Sequence, residues 1–345
     1  MTKEEIIKTK EPRVIVSCPP ASGKTFLITE RAKYLISIGV RPSQIVIITF
    51  TNAAAAEMKK RIGEIGDNCH IQTIHSYCNY LLTKNLIDTS NIIQTENFDE
   101  LFELIKQHPD CAEPVEHLLL DEAQDTDESQ FEFIERIVHP KNIFYVGDLR
   151  QSIYSFRMEN PNIFSDMIDS CGYEIFELDE NYRNSIKIHQ FAKRIIDALG
   201  GNYIDNSKCV KTNNGIVVEI DYNPANIAYY ILNSTAKFSD WFVLTRTNAE
   251  LDEIKTALEK RGIPCESFKR ANLDNDDLME KMENNTVKVL TIHAAKGLEA
   301  KFVVVIGARF YNKEEKRIAY VAATRAKDGL IWCKPIKKKK TKFIF

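Results

Sequence analysis

Three consecutive leucines, Leu118–Leu120, run straight into Asp121-Glu122-Ala123-Gln124-Asp125. An apolar run closed by acids reads as a buried strand that ends in carboxylates. Buried charge is costly unless it is paired or holds a metal, so Asp121 and Glu122 at a strand's end point to an ion. Earlier in the chain, Ser22-Gly23-Lys24-Thr25 carries a phosphate-binding signature. Together the two segments imply a site that holds a nucleoside triphosphate with magnesium and hydrolyses it.

Short apolar runs alternate with helical patterns. Arg13–Ser17 reads as a strand, followed by a loop and a helix through Ile28, Ala32, Leu35 and Ile36, with Gly39 as its stop. Further strands are expected at Gln44–Phe50, Leu118–Leu120, Asn142–Val146 and Glu174–Leu178. The rhythm restarts near Gly215, with strands at Ile216–Ile220, Trp241–Thr245, Val287–Ile292, Lys301–Ile306 and Gly329–Cys333. Thr247-Asn-Ala-Glu250 is a capping box opening a helix that packs through Leu251, Ile254 and Leu258 and ends at Gly262 and Pro264. This is the grammar of an α/β fold with parallel sheets covered by helices. A chain of 345 residues suits two domains, here 1–178 and 179–345, joined near Leu178–Ser185. Two such domains face to face offer a cleft for a nucleotide.

A net charge of −3 supplies no global positive field, so any polyanion site must be a local groove. Eight cysteines are scattered singly without a C-x-x-C pair, which argues against a zinc or iron–sulfur cluster. The N-terminus is polar, and no apolar run reaches the length of a membrane span. The expectation is a soluble intracellular protein in a reducing compartment, cytoplasm or nucleoid, with no membrane partner.

Ser17-Cys-Pro-Pro-Ala-Ser-Gly-Lys-Thr25 lies between a strand and a helix, the context a phosphate loop needs. The run Pro20, Ala21, Ser22, Gly23 would wrap the phosphates, cradled by backbone N–H groups and the helix N-terminus. Lys24 would reach the β- and γ-phosphates, and Thr25 would ligate Mg²⁺. Cys18 occupies the place of the motif's first glycine, so the alternative is a helix N-terminus that holds a lysine by coincidence. If Cys18 lines the loop, its thiol should be open to reagents and shielded by ATP. Asp121 would hold Mg²⁺ through water and Glu122 would be general base; the alternative is an acidic loop after a core strand. Arg183 and Arg325 are candidate arginine fingers, or ordinary surface arginines.

Read in order, these segments resemble superfamily 1 helicases of the UvrD/Rep type. Thr49-Phe-Thr-Asn-Ala-Ala-Ala-Ala-Glu-Met58 is similar to motif Ia, Thr73-Ile-His-Ser76 to motif Ib and Asp121–Asp125 to motif II. Val146-Gly-Asp-Leu-Arg-Gln-Ser-Ile-Tyr-Ser-Phe-Arg157 resembles motif III, and Glu180-Asn-Tyr-Arg183 motif IV. Thr291-Ile-His-Ala-Ala-Lys-Gly-Leu-Glu299 resembles motif V, and Ala319-Tyr-Val-Ala-Ala-Thr-Arg-Ala326 motif VI. The resemblance implies two RecA-like domains with an ATP cleft between them. It implies that Gln124 and Gln151 sense the γ-phosphate, Tyr182 stacks on the base, Glu299 contacts the ribose, and Arg183 and Arg325 act as fingers. It also implies a nucleic-acid groove in which Phe50, Tyr154 and Phe156 stack on bases, and Thr51, Asn52, His75, Ser76, Arg157 and His293 hold phosphates or sugars. Without the resemblance those aromatics read as core and those histidines as ordinary loop residues.

The family also implies ATP and Mg²⁺ as cofactors, single-stranded DNA or a 3′-tailed duplex as partner, and 3′→5′ movement. RNA is not excluded by backbone contacts and stacking. A slow-ATPase clamp on single strands is the non-enzymatic alternative; the intact Lys24, Asp121, Glu122, Arg183 and Arg325 argue against it. Four departures stand out. Met1–Val16 contains no glutamine to read adenine, the phosphate loop holds Pro19-Pro20-Ala21, and Phe156 replaces the usual tryptophan. The spacers are also short: a small helical insertion at about 77–114 replaces the first large subdomain and the second is missing, which favours translocation over processive unwinding. The tail 334–345 is lysine-rich, either a phosphate grip or a solvated end. Little chain follows motif VI, so no fused nuclease is expected.

Overall fold

The computed structural model describes residues 2–154, 158, 160–268 and 281–334. Phe156, Arg157 and the tail from residue 335 therefore lie outside the described residues. The chain divides into two compact units, Met1–Asp179 and Glu180–Phe345.

The first unit is built on β1 (Arg13–Ser17), β2 (Ile45–Thr49), β3 (His70–Thr73), β4 (His117–Leu120), β5 (Asn142–Gly147) and β6 (Glu174–Glu177). They form one six-stranded sheet in the order β3-β2-β4-β5-β1-β6, with every pairing parallel. Parallel sheets need apolar cover on both faces, and the strands supply it. Val14, Val16, Ile45, Ile47 and Val146 pack with Leu27, Ile28 and Leu35 of the helix Lys24–Ser37 and with Met58 of the helix Asn52–Ile62. The alternate residues Ile15, Val46, Ile48, Leu118 and Leu120 are buried as well. On Tyr145 of β5, the ring of Phe131 from the helix Glu128–Glu132 packs edge-on at 5.5 Å. Between β3 and β4 the chain makes the helices Ile74–Lys84, Ser90–Thr95 and Glu100–Gln107.

The second unit opens with the short parallel pair β7 (Glu180–Asn181) and β8 (Lys208–Cys209). Its main sheet holds β9 (Ile216–Asp221), β10 (Trp241–Thr245), β11 (Cys265–Phe268), β12 (Val287–Thr291), β13 (Ala300–Val305) and β14 (Ala326–Lys334). The order is β11-β12-β10-β13-β14-β9, again all parallel. One face packs on the helices Pro224–Leu232 and Asn248–Glu259 through Ile227, Ile231, Leu251, Ile254 and Leu258. The expected capping box is formed: Thr247 Oγ1 accepts from the Glu250 N–H, and the Glu250 carboxylate accepts from the Thr247 N–H at 3.0 Å. The other face carries Trp332, against which Phe191 of the helix Ile186–Asp197 packs at 5.1 Å.

Four strands were not expected from the residues: β3 and β11, which are sheet edges, and the two-residue strands β7 and β8, which pair only with each other. The expected strand Gln44–Phe50 is shorter, because Pro42–Gln44 makes a 3₁₀ turn and Phe50 lies past the strand. Among the described residues no helix is long and apolar enough to cross a membrane.

Candidate functional site

In the first unit, loops leaving the carboxyl ends of adjacent strands converge, as open parallel sheets dictate. Ser17 of β1 is in register with Gly147 of β5, and Leu120 of β4 with Tyr145 of β5. The phosphate-loop segment and the acids therefore flank the end of β5 on either side. The Cys18 N–H donates to the Gly147 carbonyl at 2.8 Å and fixes the loop to that end.

The loop closes with Ala21 and Gly23 in left-handed backbone (φ 63° and 94°). Gly23 caps the helix Lys24–Ser37, which has no side-chain cap and no acid in its first turn. Its first N–H groups thus face the loop uncovered by side chains, and the helix dipole favours an anion there. By contrast, the helices Asn52–Ile62, Ile74–Lys84 and Glu128–Glu132 are capped by Thr51, Thr73 and Asp127. Lys24 sits in the first turn with Nζ 3.3 Å from Glu122 Oε1. Burial works against its charge, but Glu122, Asp148 and Asp121 outweigh it, and the Lys24 pKa is raised. Thr25, half-buried, follows it.

Glu122 adopts left-handed backbone (φ 51°) directly after Asp121, and its N–H donates to Asp121 Oδ1 at 2.9 Å. Its Oε2 accepts from Gln124 Nε2 at 2.5 Å, and Gln124 Oε1 accepts from the Asp148 N–H at 2.9 Å. Asp148, fully buried, accepts from Arg150 Nε at 2.6 Å and Gln151 Nε2 at 2.8 Å. One polar chain thus runs from Lys24 through Glu122, Gln124 and Asp148 to Gln151. Gly147 is required at its hinge: a Cβ there would lie 2.7 Å from Gln124 Oε1 and 2.8 Å from the Phe164 ring. Asp148 and Arg150 carry much of this network; both stand in the segment that resembles motif III, but the residue pattern assigned neither a role.

Cys18 is a correction. It is fully buried, and burial pushes its thiol up to about 12 despite Lys24 nearby. A thiol of that kind is neither reached by reagents nor ionised near neutrality. Cys18 of the folded protein is therefore expected to stay unlabelled by a maleimide both with and without ATP, read by mass spectrometry beside the exposed Cys171; rapid labelling of Cys18 would refute its burial.

The predicted nucleic-acid residues also leave the carboxyl edge. Phe50 follows β2, remains 42% exposed, and stacks on Tyr154 at 5.4 Å with 12° between the planes. Tyr154 is buried, so of the two rings Phe50 offers the open face. Thr51 spends its hydroxyl as N-cap for Ala54 N–H at 3.1 Å, while Asn52 is exposed. His75 is half-buried between Phe98 and Phe102, with Nε2 3.7 Å from Asp99 Oδ1. Burial lowers its pKa against the pull of Asp99 and Asp127, which favours the neutral ring. Ser76 is tied to Thr73, the hydroxyls 2.8 Å apart.

In the second unit the predicted residues occupy opposite edges of the sheet. Half-buried His293 follows the carboxyl end of β12. Arg183, Glu299 and Arg325 gather at the amino ends of β13 and β14, where Ala300 pairs with Ala326. Arg325 is 2% exposed; it donates through Nε to Val321 O at 3.0 Å, through Nη1 to Leu298 O at 3.3 Å, and through Nη2 to Thr324 Oγ1 at 3.1 Å. Arg183 donates through Nε to Glu299 Oε2 at 2.5 Å and through Nη1 to Thr324 O at 3.2 Å. Buried Asn181 and Asn184 brace its loop: Asn181 Oδ1 accepts from the N–H groups of Arg183 and Asn184, and Asn184 Nδ2 donates to Ala326 O at 2.6 Å. Tyr182 is 46% exposed, its hydroxyl on Glu180 at 2.5 Å.

The family model described as "AAA domain" matches residues 3–157, and that described as "UvrD-like helicase C-terminal domain" matches residues 266–334. The chain is similar to one component of an ATP-dependent helicase/nuclease of Clostridioides difficile, 31% identical across 57% of this chain and 17% of that protein. A "Probable DNA helicase" of Mycoplasma pneumoniae is 25% identical across 92% of this chain and 79% of its own length. The "ATP-dependent DNA helicase PcrA" of Bacillus subtilis is 24% identical across 76% of this chain and 49% of its own length. The chain thus spans less than half the length of two of these three relatives.

Proposed function

From the premise that this chain belongs to the UvrD/Rep-like superfamily 1 helicases, we propose that it is an ATP-hydrolysing motor that moves along single-stranded DNA and opens duplex ahead of it. The observation that carries this reading is the polar chain Lys24–Glu122–Gln124–Asp148–Gln151 beside an uncapped helix N-terminus. That arrangement matches a triphosphate: amides and a lysine for the phosphates, a base for water, and a glutamine linked to both.

The donor set fits a magnesium ion. Thr25 and Asp121 would hold it, and it would supply charge neutralisation on the β- and γ-phosphate oxygens. The chain's own residues do the rest. Lys24 binds phosphate oxygen, exchanging its Glu122 partner for the ligand. Glu122, thereby released, takes a proton from the attacking water. Gln124 and Gln151 relay the state of the γ-phosphate along the Asp148 chain. Arg183 and Arg325 supply guanidinium charge to the transition state, and Tyr182 offers its exposed ring to the base. Phe50 offers an open ring for stacking on a nucleobase, a contact worth about 1–3 kcal/mol and tolerant of sequence.

ATP turnover should rise severalfold or more on adding single-stranded DNA. Matched DNA and RNA oligomers titrated in parallel identify the strand used. Duplexes tailed at the 3′ end, at the 5′ end or blunt test for 3′→5′ unwinding. ATP turnover indifferent to any single strand would overturn the motor reading in favour of a binding clamp.

A further inference from the structure

Lys327 belongs to none of the roles above, yet it shares a carboxylate with a proposed finger. Glu299 Oε2 accepts from Arg183 Nε at 2.5 Å, while its Oε1 accepts from Lys327 Nζ at 2.7 Å. Burial would raise the Glu299 pKa, but Arg183 and Lys327 outweigh it and lower it, so the carboxylate stays ionised between two cations.

The surrounding backbone is fixed. The Ser185 N–H donates to Lys327 O at 2.9 Å, and Asn184 Nδ2 donates to the carbonyls of Thr324 and Ala326. The loop bearing Arg183 is thus stitched to the start of β14. The Arg183 guanidinium itself is held by Glu299 and one carbonyl, unlike Arg325 with its three backbone and hydroxyl partners. Arg325 is set in place; Arg183 is the finger that a side-chain rotation can free.

We infer that Glu299 is a latch for Arg183 and that Lys327 is a positioning residue that sets how readily the latch opens. With Lys327 in place, departure of Arg183 toward a phosphate leaves Glu299 still neutralised. Without it, the same departure strips the Glu299 carboxylate, 39% exposed, of both its cations, so Arg183 stays on Glu299 more of the time. Lys327 also competes for the carboxylate directly, weakening the grip on Arg183 in the latched state. Both effects act in one direction: Lys327 speeds the step that needs Arg183 free.

This inference rests on the reading that Arg183 acts in ATP hydrolysis, and the test separates the two. Lys327→Ala, Lys327→Arg and Glu299→Gln are made singly, with Lys327→Ala also in the Glu299→Gln background, and DNA-stimulated turnover is measured. Lys327→Ala is expected to lower kcat about two- to fivefold, the rate equivalent of an ion pair of this exposure, with the KM for ATP changed less than about 1.5-fold. Lys327→Arg should recover most of kcat. In the Glu299→Gln background, with no latch to open, Lys327→Ala should add nothing. A structural role would instead lower the unfolding midpoint and persist in that background. Unchanged kcat in Lys327→Ala, or an equal loss in both backgrounds, overturns the latch. If Arg183→Ala leaves kcat intact, the finger reading fails first and the latch with it.

Discussion

Glu122→Gln is expected to retain ATP binding and to lose turnover by about 10²–10⁴-fold, the range a general base contributes. The substitution is nearly isosteric, and the geometry keeps its cost local. A glutamine oxygen can still accept from Gln124 Nε2, and the backbone at φ 51° asks no more of glutamine than of glutamate. Lys24 keeps the fields of Asp148 and Asp121. The fold and the phosphate grip therefore survive while the proton acceptor is lost. Binding is read with a fluorescent nucleotide, turnover by phosphate release under saturating DNA, and folding by thermal unfolding. Turnover within about threefold of the unaltered protein would remove Glu122 from this role. Loss of nucleotide binding alongside turnover would instead assign Glu122 to holding Lys24.

The same network shows what the sequence makes legible. Central strands announce themselves because both faces are buried: Ile45–Thr49, His117–Leu120, Trp241–Thr245 and Val287–Thr291 are buried at every residue. His70–Thr73 and Cys265–Phe268 escaped because edge strands need no such run, and each has a single fully buried residue. Asp121 and Asp148 obey one grammar, an apolar strand closed by an acid at the carboxyl edge. The second was overlooked as a site residue because Gly147 separates it from the apolar run and no second acid follows. The burial of Cys18 was hidden for another reason. A residue in the first glycine's position looks as if it lines the loop, but its N–H is drawn to the Gly147 carbonyl and its side chain turns into the core. The Glu299–Lys327 pair was illegible because Lys327 lies just outside the motif VI segment and meets Glu299 only where β13 and β14 start in register.

Arg183→Ala and Arg325→Ala are both expected to cost on the order of 10³-fold or more in DNA-stimulated kcat, as removal of a finger does, yet to part company in stability. Arg325 is buried and satisfies Val321 O, Leu298 O and Thr324 Oγ1, joining the end of the helix Lys313–Ala323 to the turn before β13. Truncation leaves buried acceptors with fewer partners and a cavity, so unfolding should be easier by roughly 2–4 kcal/mol. Arg183 contributes one ion pair, to a carboxylate 39% exposed, and one carbonyl bond, and Lys327 remains on Glu299 when it goes, so its removal should cost less than about 1.5 kcal/mol. Urea unfolding of each unit's spectroscopic signal and steady-state turnover separate the two outcomes. Arg325→Lys sharpens the test. An ammonium cannot reproduce the planar fork that meets three acceptors at once, so lysine should restore neither stability nor turnover at this position. Full activity in Arg325→Lys would mean that charge alone suffices there, and the buried fork would then be scaffolding rather than part of the chemistry.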